Sequence, residues 1–171
     1  MNSTSKNLAT PLPSYKNPPV DEVVCGFKFE PLSQLKVAHI GLLWERFRGE
    51  FPKVQHAAPI SNDGSILVDE TTGIPLPRVW FISKADNELI QFQPDSLYYN
   101  WRHRGDKYPR YRSVIEKFEK ARIHLEAFTN EMKFGTIKPV DCELTYINHI
   151  PQGQGWASIN DLPKVISDFS W

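Results

Sequence analysis

The feature that most constrains this chain is a long amphipathic segment between residues 109 and 133. Its apolar residues recur at steps of three and four, as they do on one face of an α-helix: Tyr111, Val114, Ile115, Phe118, Ala121, Leu125, Phe128 and Met132. Glu116 precedes Lys120 by four residues on the charged face, the favourable order for a helical ion pair. A one-sided helix must bury its stripe against another layer. The sequence therefore predicts a helix over 109–133 that ends near Gly135.

Runs of aromatic and β-branched residues on both sides of this helix predict the layer that covers it. The predicted strands are residues 20–30, 78–82, 89–93, 97–102 and 141–150. Turn residues join the three middle runs, which predicts an antiparallel meander. In the first strand, Gly26 marks either a bulge or a close approach of another backbone. A shorter helix is predicted from an N-cap at Ser33 to Pro52, and residues 53–77 are predicted to form a loop with at most a short edge strand at 66–68.

The order strand, helix, three strands, helix, strand predicts an α+β fold of two layers, with both helices on one face of a mainly antiparallel sheet. A ferredoxin-like βαββαβ core with an added strand satisfies this order. The chain has 171 residues, enough to bury a core without metal or disulfides. We expect a flexible arm at 1–19, a single α+β domain at 20–150, and a C-terminal tail or linker at 151–171.

Composition and missing motifs exclude several classes of protein. Lys plus Arg and Asp plus Glu both number 20, so no net charge would draw the chain to nucleic acid or anionic lipid. The longest uncharged apolar stretch, residues 37–44, is far shorter than the ~20 residues of a membrane span, and we expect a cytoplasmic protein. Cys25 and Cys142 fall in predicted strands, where we expect buried free thiols. No P-loop or metal-ligand motif is present, so the sequence predicts no cofactor and no metal.

Residues 98–112 (YYNWRHRGDKYPRYR) form a basic-aromatic segment. Guanidinium groups bind phosphate and aromatic rings stack on bases, so their interleaving is typical of a nucleotide or single-stranded nucleic-acid surface. The alternative is that alternate aromatic residues face the core and the arginines form a solvated loop. The candidate ligand-binding residues are Asn100, Trp101, Arg102, Arg104, Tyr108, Arg110 and Tyr111.

The predicted strand 141–150 contains a second candidate cluster, Glu143, Asn148 and His149. Alternation of side chains places Glu143 and His149 on one face, but about 20 Å apart at the standard rise, too far to act together as acid and base. Glu143 is interpreted either as the partner of a cation such as Arg102, or as a catalytic acid. A metal-dependent hydrolase that uses Glu143 and His149 is a further hypothesis.

Several collinear stretches carry a family resemblance across roughly residues 20–160. They are residues 23–31, 37–46, 78–81, 89–91, 99–102, 108–111, 143–150 and 155–156. With these stretches the chain resembles the N-terminal half of a sporadically distributed, uncharacterised prokaryotic family of longer proteins. The resemblance implies no reaction. Members of that family continue into a second half, which leaves open whether this chain is a natural short form or a fragment of a longer protein. If a partner half is absent, an exposed sheet edge is expected to pair with a second copy.

From the sequence we expect a non-enzymatic cytoplasmic binding or protein-interaction module that acts through its sheet face and residues 100–111. Its expected partner is another protein or a second copy of the chain, and the sporadic occurrence of the similar family suits a role in defence or mobile elements. The alternative hypothesis is a nucleotide or single-stranded nucleic-acid binding or processing protein that uses residues 98–112.

Overall fold

A computed structural model describes residues 15–60 and 66–166. The elements are β1 (Val20–Phe29), α1 (Val37–Glu45), β2 (Lys53–Ala57), β3 (Arg78–Ile82), β4 (Glu88–Gln93), β5 (Ser96–Arg102), α2 (Arg110–Glu131), β6 (Pro139–Asn148) and α3 (Leu162–Val165), the last preceded by a 3-10 turn at Ile159–Asp161. Most of the predicted arm, residues 1–14, and the end of the predicted tail, residues 167–171, lie outside the described residues.

The sheet confirms the predicted fold class. The strand order is β2-β3-β4-β5-β1-β6, and every neighbouring pair is antiparallel. The four strands β4, β5, β1 and β6, with α1 after β1 and α2 between β5 and β6, have the ferredoxin-like βαββαβ order. Two strands, β3 and β2, extend this core on the β4 side, whereas the sequence predicted a single added strand.

One apolar core joins both helices to one face of the sheet. Val23, Phe27, Tyr99 and Trp101 alternate toward α2 from β1 and β5, the two strands on which α2 packs. The buried residues of α2 are Val114, Phe118, Ala121, Leu125, Phe128 and Thr129. The centre of the predicted stripe is therefore confirmed. The three- and four-residue spacing of these apolar side chains places them on one face, and that face meets the sheet.

Several local predictions are wrong. Residues 53–77 were expected to form a loop, yet Lys53–Ala57 is an edge strand. It pairs with β3 on one side and is mostly exposed, so it lacks the apolar alternation that marks a half-buried strand. Residues 66–68 contribute only an isolated bridge between Val68 and Pro75.

The start of α1 also differs from the prediction. The helix begins at Val37, after an extended residue at Lys36. Ser33 therefore does not cap it. Instead the backbone N–H of Lys36 donates to Nδ1 of His39, at 3.0 Å. The imidazole, at the third helical position, thus takes the role that Glu or Gln plays in a capping box.

Gly26 on β1 marks a close approach rather than a bulge. It lies opposite Tyr98 on β5. A Cβ atom at this position would overlap the carbonyl oxygen of Leu97 and Cδ1 of Tyr98, and would lie 2.7 Å from Cγ of Tyr98. The register irregularities of β1 lie elsewhere, near its two ends. The missing side chain therefore makes room for the Tyr98 ring across the strand pair.

Candidate functional site

The structure divides the basic-aromatic segment between the core, an ion-pair cluster and a cleft. Trp101 is 1% exposed and its indole N–H donates to Asp106, at 3.3 Å. Arg102 donates to Asp86 at 2.8 Å, and Nε of Arg104 donates to the same carboxylate at 3.2 Å. Trp101 thus offers no ring face to a ligand, and two of the candidate arginines already share one acid.

Part of the segment lines a cleft at the start of α2, which we call the end cleft. Its volume is about 510 Å³, within the ~300–1,000 Å³ range of small-molecule sites. Its charged and titratable lining residues are Lys16, Asp21, His103, Asp106, Lys107, Tyr108, Arg110 and His149. Tyr108 and Arg110 come from the first predicted cluster and His149 from the second. The fold therefore brings together parts of two clusters that are about 40 residues apart in sequence.

Backbone hydrogen bonds fix the walls of the end cleft. The N–H of His103 donates to the carbonyl of Asp21 at 2.7 Å, and the N–H of His149 donates to the carbonyl of Pro19 at 2.8 Å. Both bonds tie the residues at the start of β1 to the ends of neighbouring strands. A guanidinium N–H of Arg110 donates to the carbonyl of Tyr15, at 2.8 Å. The cleft is thus built from three separate parts of the chain.

Asn100 belongs to a different region, the sheet face opposite the helices. It is 2% exposed and donates to Oε1 of Glu22 at 2.5 Å. Its own carbonyl accepts a hydrogen bond from Gln91, at 2.8 Å, and Gln91 accepts one from the indole of Trp80, at 2.9 Å. Buried polar groups need such partners. Asn100 is therefore the centre of a polar chain that crosses four strands.

Beside this chain lies an open-face groove of about 440 Å³, lined in part by Lys28, Arg78, Tyr98 and Glu143. Arg78 stacks over the Trp80 ring at 5.3 Å, and burial lowers the pKa of its guanidinium. Burial, together with the charge of Glu143, raises the pKa of Tyr98 to about 12. The phenol therefore remains neutral at physiological pH.

The second candidate cluster is dispersed. Glu143 lines the open-face groove and His149 lines the end cleft. Glu143 accepts a hydrogen bond from the Thr145 hydroxyl at 3.0 Å, and none of the ion pairs among the described residues includes it. Asn148 is exposed where β6 ends, opposite Val20. Within 15–60 and 66–166, no group of three His, Cys, Asp or Glu side chains is placed to hold a metal ion.

The edge strand β6 is exposed on both of its faces. Nine of its ten residues are exposed and Thr145 is intermediate. The apolar side chains left open are Val140, Leu144, Tyr146 and Ile147. The prediction that Cys142 is buried is wrong, whereas Cys25 is buried as expected. The reason is that α2 packs over β1 and β5 and leaves the strand beyond them uncovered.

Some residues at these sites gave no usable sequence signal. Lys16 and Asp21 reach the end cleft only because β1 pairs with β5 and β6. Arg78 and Gln91 lie in runs that predict strands without showing which face they occupy. Tyr111, a predicted ligand residue, is 49% exposed in the first turn of α2 and does not line the end cleft.

Comparisons with family models, curated proteins and solved structures found no match to this chain. Its function is therefore inferred from the geometry described above. Within the part of the chain that the structure describes, no helix has the length and apolarity needed to cross a membrane.

Proposed function

We propose that this chain is a non-enzymatic interaction module in which β6 pairs with β6 of a second copy, so that one sheet continues across two molecules. The observation that carries the proposal is the exposure of β6, a ten-residue edge strand with apolar side chains open on both faces. The free backbone groups of such a strand are a template for pairing with another strand.

The two edges of the sheet differ in how far they are protected against pairing. β2 has five residues and contains Lys53 and His56. β6 is twice as long and carries no basic residue. Short length and lysines are the usual means by which natural sheets block edge-to-edge contact. These features favour β6 as the pairing edge.

The sequence of β6 is compatible with a two-fold axis at Leu144. A two-fold axis normal to the sheet pairs antiparallel strands and keeps each face on its own side. The regular part of the β1–β6 ladder runs from Asp141 to Ile147, and Leu144 is its centre. This axis places Asp141 opposite Ile147 and Glu143 opposite Thr145, so no acids face each other. An axis at Glu143 would place two carboxylates together, which is destabilising.

The apolar side chains benefit from the same register. Leu144 would lie opposite Leu144 of the second copy, and Cys142 opposite Tyr146. These residues are on the helix side of the sheet, at the strand that α2 does not cover. Lys28, the β1 neighbour of Asp141, offsets part of the acidic charge of the edge. Cross-strand apolar pairs of this kind each stabilise a sheet by roughly 0.2–1 kcal/mol.

Light scattering coupled to gel filtration, over a range of protein concentrations, tests the proposal. We expect a dimer that Leu144→Lys converts to a monomer, because two ammonium groups would then meet at the axis. Val54→Lys is the matched control: Val54 is a similarly exposed valine, 45% accessible, on the opposite edge strand β2. A wild-type monomer at all concentrations, or a dimer that only Val54→Lys disrupts, contradicts the proposal.

Crosslinking tests the register. Residues opposite each other in antiparallel strands have Cα atoms about 4.5–5.5 Å apart, which a disulfide can bridge. Oxidation of Leu144→Cys in a Cys142→Ser background should therefore give a covalent dimer. Thr145→Cys in the same background lies opposite Glu143 of the second copy and should crosslink poorly. Equal crosslinking of both variants would contradict an axis at Leu144.

A further inference from the structure

The geometry of the end cleft points to a second binding site, and we infer that it holds the phosphate group of a small phosphorylated molecule. The inference is independent of β6 pairing. It begins from an excess of positive charge. Lys16, Lys107 and Arg110 line the cleft with His103 and His149. None of these three cations has an acidic partner among the described residues.

Two carboxylates also line the cleft, and one of them is already engaged. Asp106 accepts hydrogen bonds from Asn87 at 3.0 Å, from the Trp101 indole at 3.3 Å and from the backbone N–H of Arg104 at 3.2 Å. These bonds direct its charge into the loop rather than toward the cleft cations. Asp21 is the remaining acid. Three cations and two histidines therefore face one uncommitted carboxylate.

The start of α2 adds to this positive potential. The helix begins at Arg110 and has no acid in its first turn, and no side chain within 15–60 and 66–166 caps it. The first N–H groups of a helix carry partial positive charge. Arg110 itself has φ of 73°, a left-handed conformation that is costly for a side chain of this size. Strained residues of this kind concentrate at ligand sites, and the Arg110 guanidinium donates here to the Tyr15 carbonyl at the cleft.

The shape of the region favours a small ligand over a nucleic-acid strand. A strand needs a continuous basic track with exposed rings on which bases stack. In this segment Tyr99 and Trp101 are buried, and Arg102 and Arg104 are paired with Asp86. What remains is a cleft of about 510 Å³, the size of a small-molecule site rather than a long track. Phosphate suits clustered Lys and Arg, because it is ionised and offers several oxygens that accept charge-assisted hydrogen bonds.

Calorimetric titration with ADP, ribose 5-phosphate and adenosine tests the inference. We expect ADP and ribose 5-phosphate to bind and adenosine not to bind. If only ADP binds, the site takes nucleotides. If ADP and ribose 5-phosphate both bind, the site recognises the phosphate group alone. No heat from either phosphate at low salt, or equal affinity for adenosine and ADP, overturns the inference. Tighter binding of an oligothymidylate than of ADP would also overturn it, in favour of nucleic acid.

Variants locate the site. Lys107→Gln combined with Arg110→Gln should weaken ADP binding at least tenfold. Arg112→Gln is the matched control, because Arg112 is two residues away with a side chain 91% exposed, outside the cleft. Lys107→Gln alone leaves the strained position intact and should still weaken binding severalfold if the double variant does not fold, as judged by thermal unfolding. Unchanged affinity in a folded Lys107→Gln variant overturns the assignment to this cleft.

Discussion

The hydroxyl of Tyr108 lies 3.0 Å from the hydroxyl of Tyr146, and the two rings meet edge to face. This contact joins a wall of the end cleft to the exposed edge strand β6. Burial of the Tyr108 ring and its hydrogen bond with Tyr146 raise the pKa of Tyr108. The phenol therefore stays neutral, and one direct hydrogen bond links the two surfaces proposed to bind partners.

A double-mutant cycle measures this link. Tyr108→Phe and Tyr146→Phe each remove one hydroxyl and keep the ring, so the difference between the double variant and the sum of the singles reports the bond. We expect a coupling of about 0.5–1.5 kcal/mol in the free energy of unfolding, the usual net contribution of a hydrogen bond. Tyr111→Phe is the control. Tyr111 is 49% exposed, so loss of its hydroxyl should change stability little. Strictly additive effects of the two variants would show that the hydroxyls do not interact.

Substitution at Gly26 should destabilise the protein. Its added Cβ in Gly26→Ala would overlap the Leu97 carbonyl and the Tyr98 ring, and overpacking of this kind typically costs about 1–3 kcal/mol. Chemical denaturation measures the free energy of unfolding. Gly41→Ala is the matched control, because no atom of the described residues lies within 4 Å of the new Cβ and alanine is the better helix former, so α1 should be stabilised. If Gly26→Ala leaves the free energy of unfolding unchanged, the two strands can move apart there without loss of stability.

The fold was largely predictable because apolar residues recur at a regular spacing in its core elements. The stripe through Val114, Phe118 and Leu125 and the run Arg78–Ile82 each bury one face, and burial leaves a pattern in sequence. β2 is an exposed edge strand, so its sequence lacks the alternation of apolar and polar residues that marks a half-buried strand. α1 starts late for a similar reason, since its N-cap residue is Lys36, which is not a residue type that caps helices often.

The candidate site was predicted less well because composition does not show how charges are already used. Arg102 and Arg104 counted toward a basic surface in the sequence, but Asp86 is a distant residue that comes to both of them through the β3–β4 turn. The sequence is compatible with Trp101 as a stacking ring or as a core residue, and the strand register places it on the face that packs against α2. Conversely, Lys16 joins the end cleft only through tertiary structure.

Removal of the Asp86 carboxylate should weaken the protein in a pH-dependent way. Burial opposes ionisation of Asp86, but the hydrogen bond from Arg104 and the charges of Arg102, Arg104 and Lys53 outweigh it and hold its pKa below the usual value. A carboxyl with a lowered folded pKa stabilises the protein above its unfolded pKa, near 3.9, and this contribution is lost as the pH falls through the folded pKa.

We therefore expect Asp86→Asn to lose stability at pH 7 and the difference from wild type to shrink below about pH 4. The loss should be about 1 kcal/mol or less, since the Asp86 side chain is 46% exposed and solvent screens the pairs. Asn also tolerates the left-handed backbone at this residue, where φ is 64°, so the change is electrostatic. Urea denaturation at pH 3, 5 and 7 measures it. A difference that grows toward acid pH would contradict the sign of the shift.

The two cysteines should differ sharply in reactivity. Burial of Cys25, with added repulsion from Glu119 and Cys142, raises the pKa of its thiol to about 11, and the thiolate is the reactive form. Cys142 is exposed on β6. A disulfide reagent should therefore modify one thiol in the native protein and two after unfolding. Modification of both thiols at one rate in the native state would show that Cys25 is accessible.

The same reagent reports on β6 pairing. In a dimer with its axis at Leu144, Cys142 lies opposite Tyr146 of the second copy and is covered. Its modification in wild type should then slow as protein concentration rises, because only the monomer exposes the thiol. Leu144→Lys removes the pairing and should react at one rate at every concentration, while Val54→Lys should follow wild type. A rate in dimeric wild type equal to the rate in Leu144→Lys would place the dimer contact away from β6.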